Sequence, residues 1–195
     1  ERIMYTSARE QPLVLHVARL VEKKGTRYLI EAMGRVIRRH PDAELVIVGD
    51  GPLRQRLEIL TAELELTRHV RFLGSQPHQA VLDLMAKAMV LVVPSVTARS
   101  GDTEGLPTVV LEAAASGCPV VATRHSGIPE AVVDGETGIL VDEKDVNTLA
   151  DSICELLGNS SLRNDMGRAA RRLVETRFDL YRQTAILEGM YAKLL

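Results

Sequence analysis

No stretch of the 195-residue chain approaches the roughly 18 consecutive apolar residues that a membrane-spanning helix needs, so no segment is expected to cross a bilayer. Cysteine is scarce. Cys118 and Cys154 have no metal-ligand spacing and cannot make a disulfide framework, and both read as small buried side chains. Charge of one sign is lacking too: the formal net charge is −2, without the basic footprint of a nucleic-acid binder. There is no Walker A pattern, no complete G-x-G-x-x-G and no Asp-x-Asp pair, and nothing is repetitive or low in complexity. A signal-peptide pattern is missing, and the first residue is Glu rather than Met. Residues 1–11 are polar and read as the remnant of a linker at the start of an excised fragment. Residues 12–195 are enough for one domain with a sizeable core.

What is present is alternation. Continuous apolar runs occur at Leu13–Ala18, Leu45–Val48, Val70–Leu73, Met89–Val93, Val120–Ala122 and Ile139–Val141. Runs without polar alternation suit strands covered on both faces, as in parallel sheets. Amphipathic stretches separate them, from about Gly25 to Arg39, Leu53 to Leu66 and His78 to Lys87. After Val141 the pattern turns helical, at Val146–Leu157, Ser161–Glu175 and Leu180–Leu194, broken at Gly158-Asn159 and Phe178-Asp179. The fold class expected is α/β, a doubly wound and mostly parallel Rossmann-like sheet with extra C-terminal helices.

One segment carries more chemistry than the rest: Glu104-Gly105-Leu106-Pro107-Thr108-Val109-Val110-Leu111-Glu112. Pro107 is read as the first residue of a helix, where a missing N–H costs nothing. Leu106–Gly117 is apolar almost all round, which predicts burial on most sides. Glu112 is the only charge in that run, and no basic residue stands at helical spacing to balance it. Glu104 stands just before the helix, where unpaired N–H groups and the positive dipole end attract anions. An anion site flanked by two acceptors for hydroxyl groups describes a sugar nucleotide. Gly49-Asp50-Gly51-Pro52 reads as a tight strand-to-helix turn, with Arg54 where the last glycine of a dinucleotide fingerprint would stand. Arg19, Gly49 to Pro52, Gly74-Ser75, Pro94-Ser95 and Thr123 all follow strands. They therefore converge on the carboxyl edge of the sheet, where open α/β sheets bind ligands.

VARLVEKKG at 17–25, VGDGP at 48–52, VRFLG at 70–74, VPS at 93–95, EGLPTVVLEAAASGCPVVAT at 104–123 and SGIPEAVVDGETGILV at 126–141 stand in an order that resembles the retaining glycosyltransferases of the group 1, or family 4, type, with the GT-B fold. The stretch from Pro94 to Val141 is most similar to enzymes that assemble bacterial exopolysaccharide. The resemblance implies that Arg19 and Lys24 clamp a pyrophosphate and stabilise the departing nucleoside diphosphate. Glu104 would lie near the transferred sugar, positioning it and stabilising charge, and Glu112 would accept hydrogen bonds from ribose hydroxyls. The backbone at Gly49 and Gly51 would approach the donor, Gly74 and Ser75 the base, and Gly105, Leu106 and Thr108 the sugar and phosphates. The catalytic set is then Glu104, Arg19 and Lys24.

The same resemblance implies the donor-binding C-terminal domain of a two-domain enzyme that transfers a hexose, with retention, to a growing glycan. The donor is a nucleoside-diphosphate sugar, UDP- or GDP-linked, and no cofactor and no metal is expected. The glycan or lipid-linked acceptor would bind a preceding domain absent from this chain, whose own transfer activity is expected to be nil. Location in the cytoplasm follows, with at most peripheral contact at the inner membrane face. The alternatives are a non-catalytic nucleotide-sugar-binding module, or a GT-B-fold epimerase or phosphorylase. Apart from the resemblance, Lys23-Lys24 reads as a solvated turn. His16 reads as a core histidine, and His40, His69 and His78 carry no partner pattern. His125 lies on the binding edge, where a general base would also need a positioned partner. The loop Val96–Thr103 is polar and without period, Glu130 reads as a helix-start group, and Arg168, Arg171 and Arg172 as a solvated helix face.

Overall fold

The computed structural model describes residues 12–193, so the linker reading of residues 1–11 lies outside the described residues. Six strands form one all-parallel sheet in the order β3-β2-β1-β4-β5-β6. They are β1 Leu13–Val17, β2 Glu44–Val48, β3 Val70–Gly74, β4 Val90–Val93, β5 Val120–Thr123 and β6 Gly138–Val141. The helices are α1 Thr26–Arg39, α2 Arg54–Glu63, α3 His78–Lys87, α4 Thr108–Ala115, α5 Ile128–Ala131, α6 Val146–Gly158, α7 Ser160–Arg177 and α8 Leu180–Tyr191. Sequence order reverses between β1 and β4, and that is the crevice where ligands of open α/β sheets sit. No described helix is long and apolar enough to cross a membrane.

The strands lack polar alternation because both faces are covered. Val14, Leu45, Ile47, Val92 and Val121 point into one core with Leu29, Ile30 and Met33 of α1 and Leu149 and Ile153 of α6. Their neighbours Leu15, Val46, Val48, Leu91, Val93 and Ala122 point into a second core with Met85 of α3, Val110 and Ala113 of α4 and Ile128 of α5. The helix breaks fall where read. Asn159 caps α7 by accepting the Leu162 N–H, and Asp179 caps α8 by accepting the Arg182 N–H.

Three readings change. Pro107 is not helical: with ψ 124° it occupies the capping position, and Thr108 is the first helical residue. Proline satisfies both positions, because neither uses an N–H of its own, and the Pro107 carbonyl already accepts from Val110 N–H. Nor is α4 buried on most sides. Val109, Val110, Ala113 and Ala114 face the protein, but Thr108 and Ala115 are exposed and Glu112 is half-buried. A single buried stripe suffices for an eight-residue helix, and its small alanines tolerate water on the other side. Finally, α2 stops at Glu63 rather than Leu66, because Glu65 turns left-handed (φ 58°) and lets Leu66 drop into the core.

His16 is the core histidine its apolar surroundings implied. Its Nδ1 meets the Val92 carbonyl at 2.8 Å and its Nε2 meets Thr26 Oγ1 at 2.9 Å. A carbonyl only accepts, so Nδ1 carries the proton and the Thr26 hydroxyl donates. Burial pushes the pKa down to about 4, which keeps the ring neutral.

Candidate functional site

The turns after β1, β2 and β3 are stitched together by backbone. Ala18 N–H donates to Val48 O, Leu20 N–H to Asp50 O, Leu53 N–H to Leu20 O, and Gly49 N–H to Gly74 O. This closeness explains the glycines. At Gly49 (φ 124°) a Cβ would collide with the Ala18 carbonyl, and at Gly51 it would stand 2.6 Å from the Leu20 carbonyl oxygen. Asp50 serves the turn itself, accepting from the Gly51 N–H at 2.7 Å and pairing with Arg54. Gly49 spends its N–H inside the protein. Arg19 is exposed on the edge and forms no ion pair or side-chain hydrogen bond among the described residues, and Ser75 is likewise exposed.

The 3₁₀ turn Glu22–Lys24 reaches the loop before α4, 80 residues along the chain. Lys24 Nζ donates to Glu104 Oε2 at 2.7 Å. Lys23 Nζ donates to Asp102 Oδ1 and to Thr103 O, each at 3.0 Å. The Asp102 hydrogen bond holds the Lys23 ammonium above its ordinary pKa. The reading of Lys23-Lys24 as a freely solvated turn therefore fails. Glu104 is 10% exposed, with one oxygen satisfied and one not: Lys23 Nζ lies 3.3 Å from Oε1, close enough for charge attraction but out of hydrogen-bond alignment. An ionised oxygen held dry without a directional donor is costly. Its nearest counter-charge is the Lys23 ammonium.

Next to it, the N–H groups of Gly105, Leu106, Thr108 and Val109 make no hydrogen bond among the described residues. Those of Thr108 and Val109 open α4, where unpaired N–H groups and the helix dipole favour an anion. Glu112, in the second turn of α4, makes no side-chain hydrogen bond or ion pair among the described residues. Of the predicted residues, then, Lys24 and Glu104 are in direct contact. Arg19, Gly49, Gly51, Gly74 and Ser75 line the same strand edge, and Gly105, Leu106, Thr108 and Glu112 sit at α4.

Sequence reasoning missed Lys23, Asp102 and the environment of His125. The ring is 3% exposed, its Nδ1 is 2.6 Å from Glu143 Oε1, and its Nε2 accepts the Glu104 N–H at 3.1 Å. Glu143 also accepts from Thr97 N–H at 2.9 Å. Burial opposes its ionisation, yet the hydrogen bonds from His125 and Thr97 prevail and hold its pKa below the ordinary value. The loop 96–103 is accordingly tethered. Val96 N–H donates to Lys23 O, Ala98 N–H to Asp102 O, and Val96 and Ala98 are buried. The polarity of Asp102, Thr103 and Glu143 was visible, but which residues they meet was not.

A family profile described as "Glycosyl transferases group 1" matches residues 2–173. The chain belongs to the group 1 glycosyltransferases. It is 40% identical over 163 residues to a GDP-mannose-dependent alpha-(1-6)-phosphatidylinositol monomannoside mannosyltransferase of Mycolicibacterium smegmatis, covering 83% of this chain and 43% of that protein. It is 38% identical over 189 residues to the amylovoran biosynthesis glycosyltransferase AmsK of Erwinia amylovora, covering 94% of this chain and 46% of AmsK. The chain thus spans less than half the length of these relatives. Among solved structures, Anabaena HepE in complex with UDP superposes with a TM-score of 0.83 at 26% identity, over 94% of this chain and 49% of HepE. The all-parallel sheet with flanking helices is the Rossmann-like α/β architecture of GT-B glycosyltransferases, here with the additional helices α6, α7 and α8.

Proposed function

We propose that this group 1 glycosyltransferase domain is the C-terminal, donor-binding half of a two-domain enzyme that transfers a hexose from a nucleoside-diphosphate sugar to a growing glycan with retention. The observation that carries the reading is the pairing of Glu104 with the unpaired N–H groups at the start of α4. A carboxylate paired with Lys24 and beside Lys23 precedes the unpaired N–H groups at the start of α4, and a sugar joined to a diphosphate would meet a carboxylate, two cations and an anion site together. Arg19 is free to grip two phosphate oxygens, and Lys24 brings a point charge already anchored on Glu104. Negative charge grows on the departing diphosphate, so fixed cations favour the transition state over the bound ground state. No metal and no cofactor is needed in this reading. Glu104 orients the sugar and stabilises positive charge at the anomeric carbon. Glu112 accepts from the ribose hydroxyls, and the turn at Gly74-Ser75 meets the base. The names of the relatives support a nucleotide sugar as donor, GDP-linked in one and UDP-binding in another, and glycan or lipid-linked acceptors.

Titration calorimetry with UDP and GDP tests the site. One of them should bind the chain in the micromolar to millimolar range. Arg19→Ala and Lys24→Ala should each weaken that binding by roughly 1.5–3 kcal/mol while leaving the bare nucleoside unaffected. Wild-type affinity in both variants would remove the clamp from the proposal.

A further inference from the structure

We propose that His125, locked by Glu143 as the Nδ1-protonated neutral tautomer, is the positioning residue for Glu104. The inference rests on the donor-site reading for its functional consequence but on the geometry for its chemistry. The Glu104 backbone nitrogen can only donate, so the His125 Nε2 that it meets at 3.1 Å must present a lone pair. The ring proton is then on Nδ1, pointing at Glu143 Oε1 2.6 Å away. Each end of the imidazole is thus assigned by its partner, and the assignment is the only one in which both contacts are hydrogen bonds.

Three loops meet at this ring. His125 follows β5, Glu143 follows β6 and itself accepts from Thr97 in the loop after β4, and Glu104 precedes α4. His125 is clamped by its own turn as well, since its N–H donates to Thr123 O, its carbonyl accepts from Ile128 N–H, and Ser126 beside it is left-handed (φ 48°). The Gly127 N–H donates to Gly105 O at 3.2 Å, a second tie between the same two loops. Buried and held at both nitrogens, the ring fixes where Glu104 and the N–H groups after it stand.

A second proton would place an Nε2–H against the Glu104 N–H, two donors face to face. Glu143, from the β6–α6 loop, is the charged side chain in contact with the ring among the described residues. Arg124, next to His125 in the chain, is paired with Asp134.

¹⁵N-edited NMR of the 195-residue chain reads the tautomer directly. At neutral pH His125 should be Nδ1-protonated and neutral, and Glu143→Ala should release it into a mixture of tautomers. In parallel, UDP-glucose and GDP-mannose are titrated into the chain. His125→Ala should weaken binding of the nucleotide sugar about tenfold. His125→Gln, whose amide oxygen can accept the Glu104 N–H while its NH₂ faces Glu143, should stay within about threefold of the unmodified chain. An Nε2-protonated ring, unchanged binding in His125→Ala, or a His125→Gln as weak as His125→Ala would each overturn the proposal. If His125→Ala does not fold, His125→Gln and Glu143→Ala carry the comparison. If neither nucleotide sugar binds the unmodified chain, the donor-site reading fails while the tautomer spectrum still decides His125.

Discussion

Glu104 sits between two demands. Its Oε2 is held by Lys24, and its Oε1 is buried beside Lys23 with no aligned donor. Glu104→Gln separates them in an enzyme that contains this domain and its acceptor-binding half. The amide keeps the shape but removes the charge, leaving Lys23 and Lys24 with Asp102 as their nearest counter-charge. Affinity for bare UDP or GDP should be held or raised, because the cations are less neutralised. Turnover of the nucleotide sugar should fall by orders of magnitude, each lost ~1.4 kcal/mol of transition-state stabilisation being tenfold. Steady-state rates alongside calorimetry check the split, and a near-normal rate would reduce Glu104 to a helix-start charge worth a few tenths of a kcal/mol. His16 gives a prediction of a different kind. Its folded pKa is about 4 against an ordinary 6.5, so between those values the unfolded chain binds a proton that the folded chain refuses. Where the unfolded state holds more protons, stability rises with pH. Stability should therefore drop by about 3 kcal/mol as pH falls from 6.5 to 4, at 1.36 kcal/mol per pH unit. Urea unfolding across that range measures it, and a variant without an ionisable group at position 16 should lose this component of the slope.

The elements divide cleanly into those the sequence announces and those it cannot. All six strands and their order along the chain were readable, because a doubly covered parallel strand must be apolar at consecutive positions, as Leu45–Val48 and Val90–Val93 are. The caps at Asn159 and Asp179 were equally visible in their residue types. Pro107 was ambiguous because the first helical position and the capping position make the same demand on a residue without an N–H. The contacts of Lys23, Asp102, His125 and Glu143 were hidden for another reason. They join loops 18 to 80 residues apart, and only the closed sheet decides which side chains face each other. The β1, β2 and β3 turns make an element-scale prediction. Gly49→Ala puts a Cβ against the Ala18 carbonyl at a φ that side chains avoid. It should destabilise the domain by about 3 kcal/mol, within the range of strained backbone plus a core clash. Gly105→Ala, which meets nothing within 4 Å, should cost well under 1 kcal/mol, and chemical denaturation distinguishes the two.

At the scale of the whole molecule, the described domain ends in an edge rather than an enclosed site. The groups that would bind a donor lie along the carboxyl ends of the strands and at α4, and the relatives of this chain are more than twice the length it matches. Of the eight large apolar side chains left exposed among the described residues, six lie on α8: Leu180, Tyr181, Ile186, Leu187, Met190 and Tyr191. Exposed apolar side chains gathered on one helix mark a surface that expects contact. Binding and transfer should therefore separate. The 195-residue chain carries the cations, the free N–H groups and both glutamates, so it should bind a nucleoside diphosphate without help. Transfer needs an acceptor hydroxyl held within about 3–3.5 Å of the anomeric carbon, and in the two-domain reading that hydroxyl is held by the other half. Incubated with UDP-glucose or GDP-mannose and an acceptor glycan, the chain alone should release no nucleoside diphosphate above the uncatalysed rate, whereas the same residues in a two-domain protein should do so. Diphosphate release coupled to a spectrophotometric assay, run beside calorimetry on the same preparation, decides the matter. Binding without release supports the division of labour. Efficient transfer by the chain alone would mean that this domain holds the acceptor as well, and the two-domain reading would have to be abandoned.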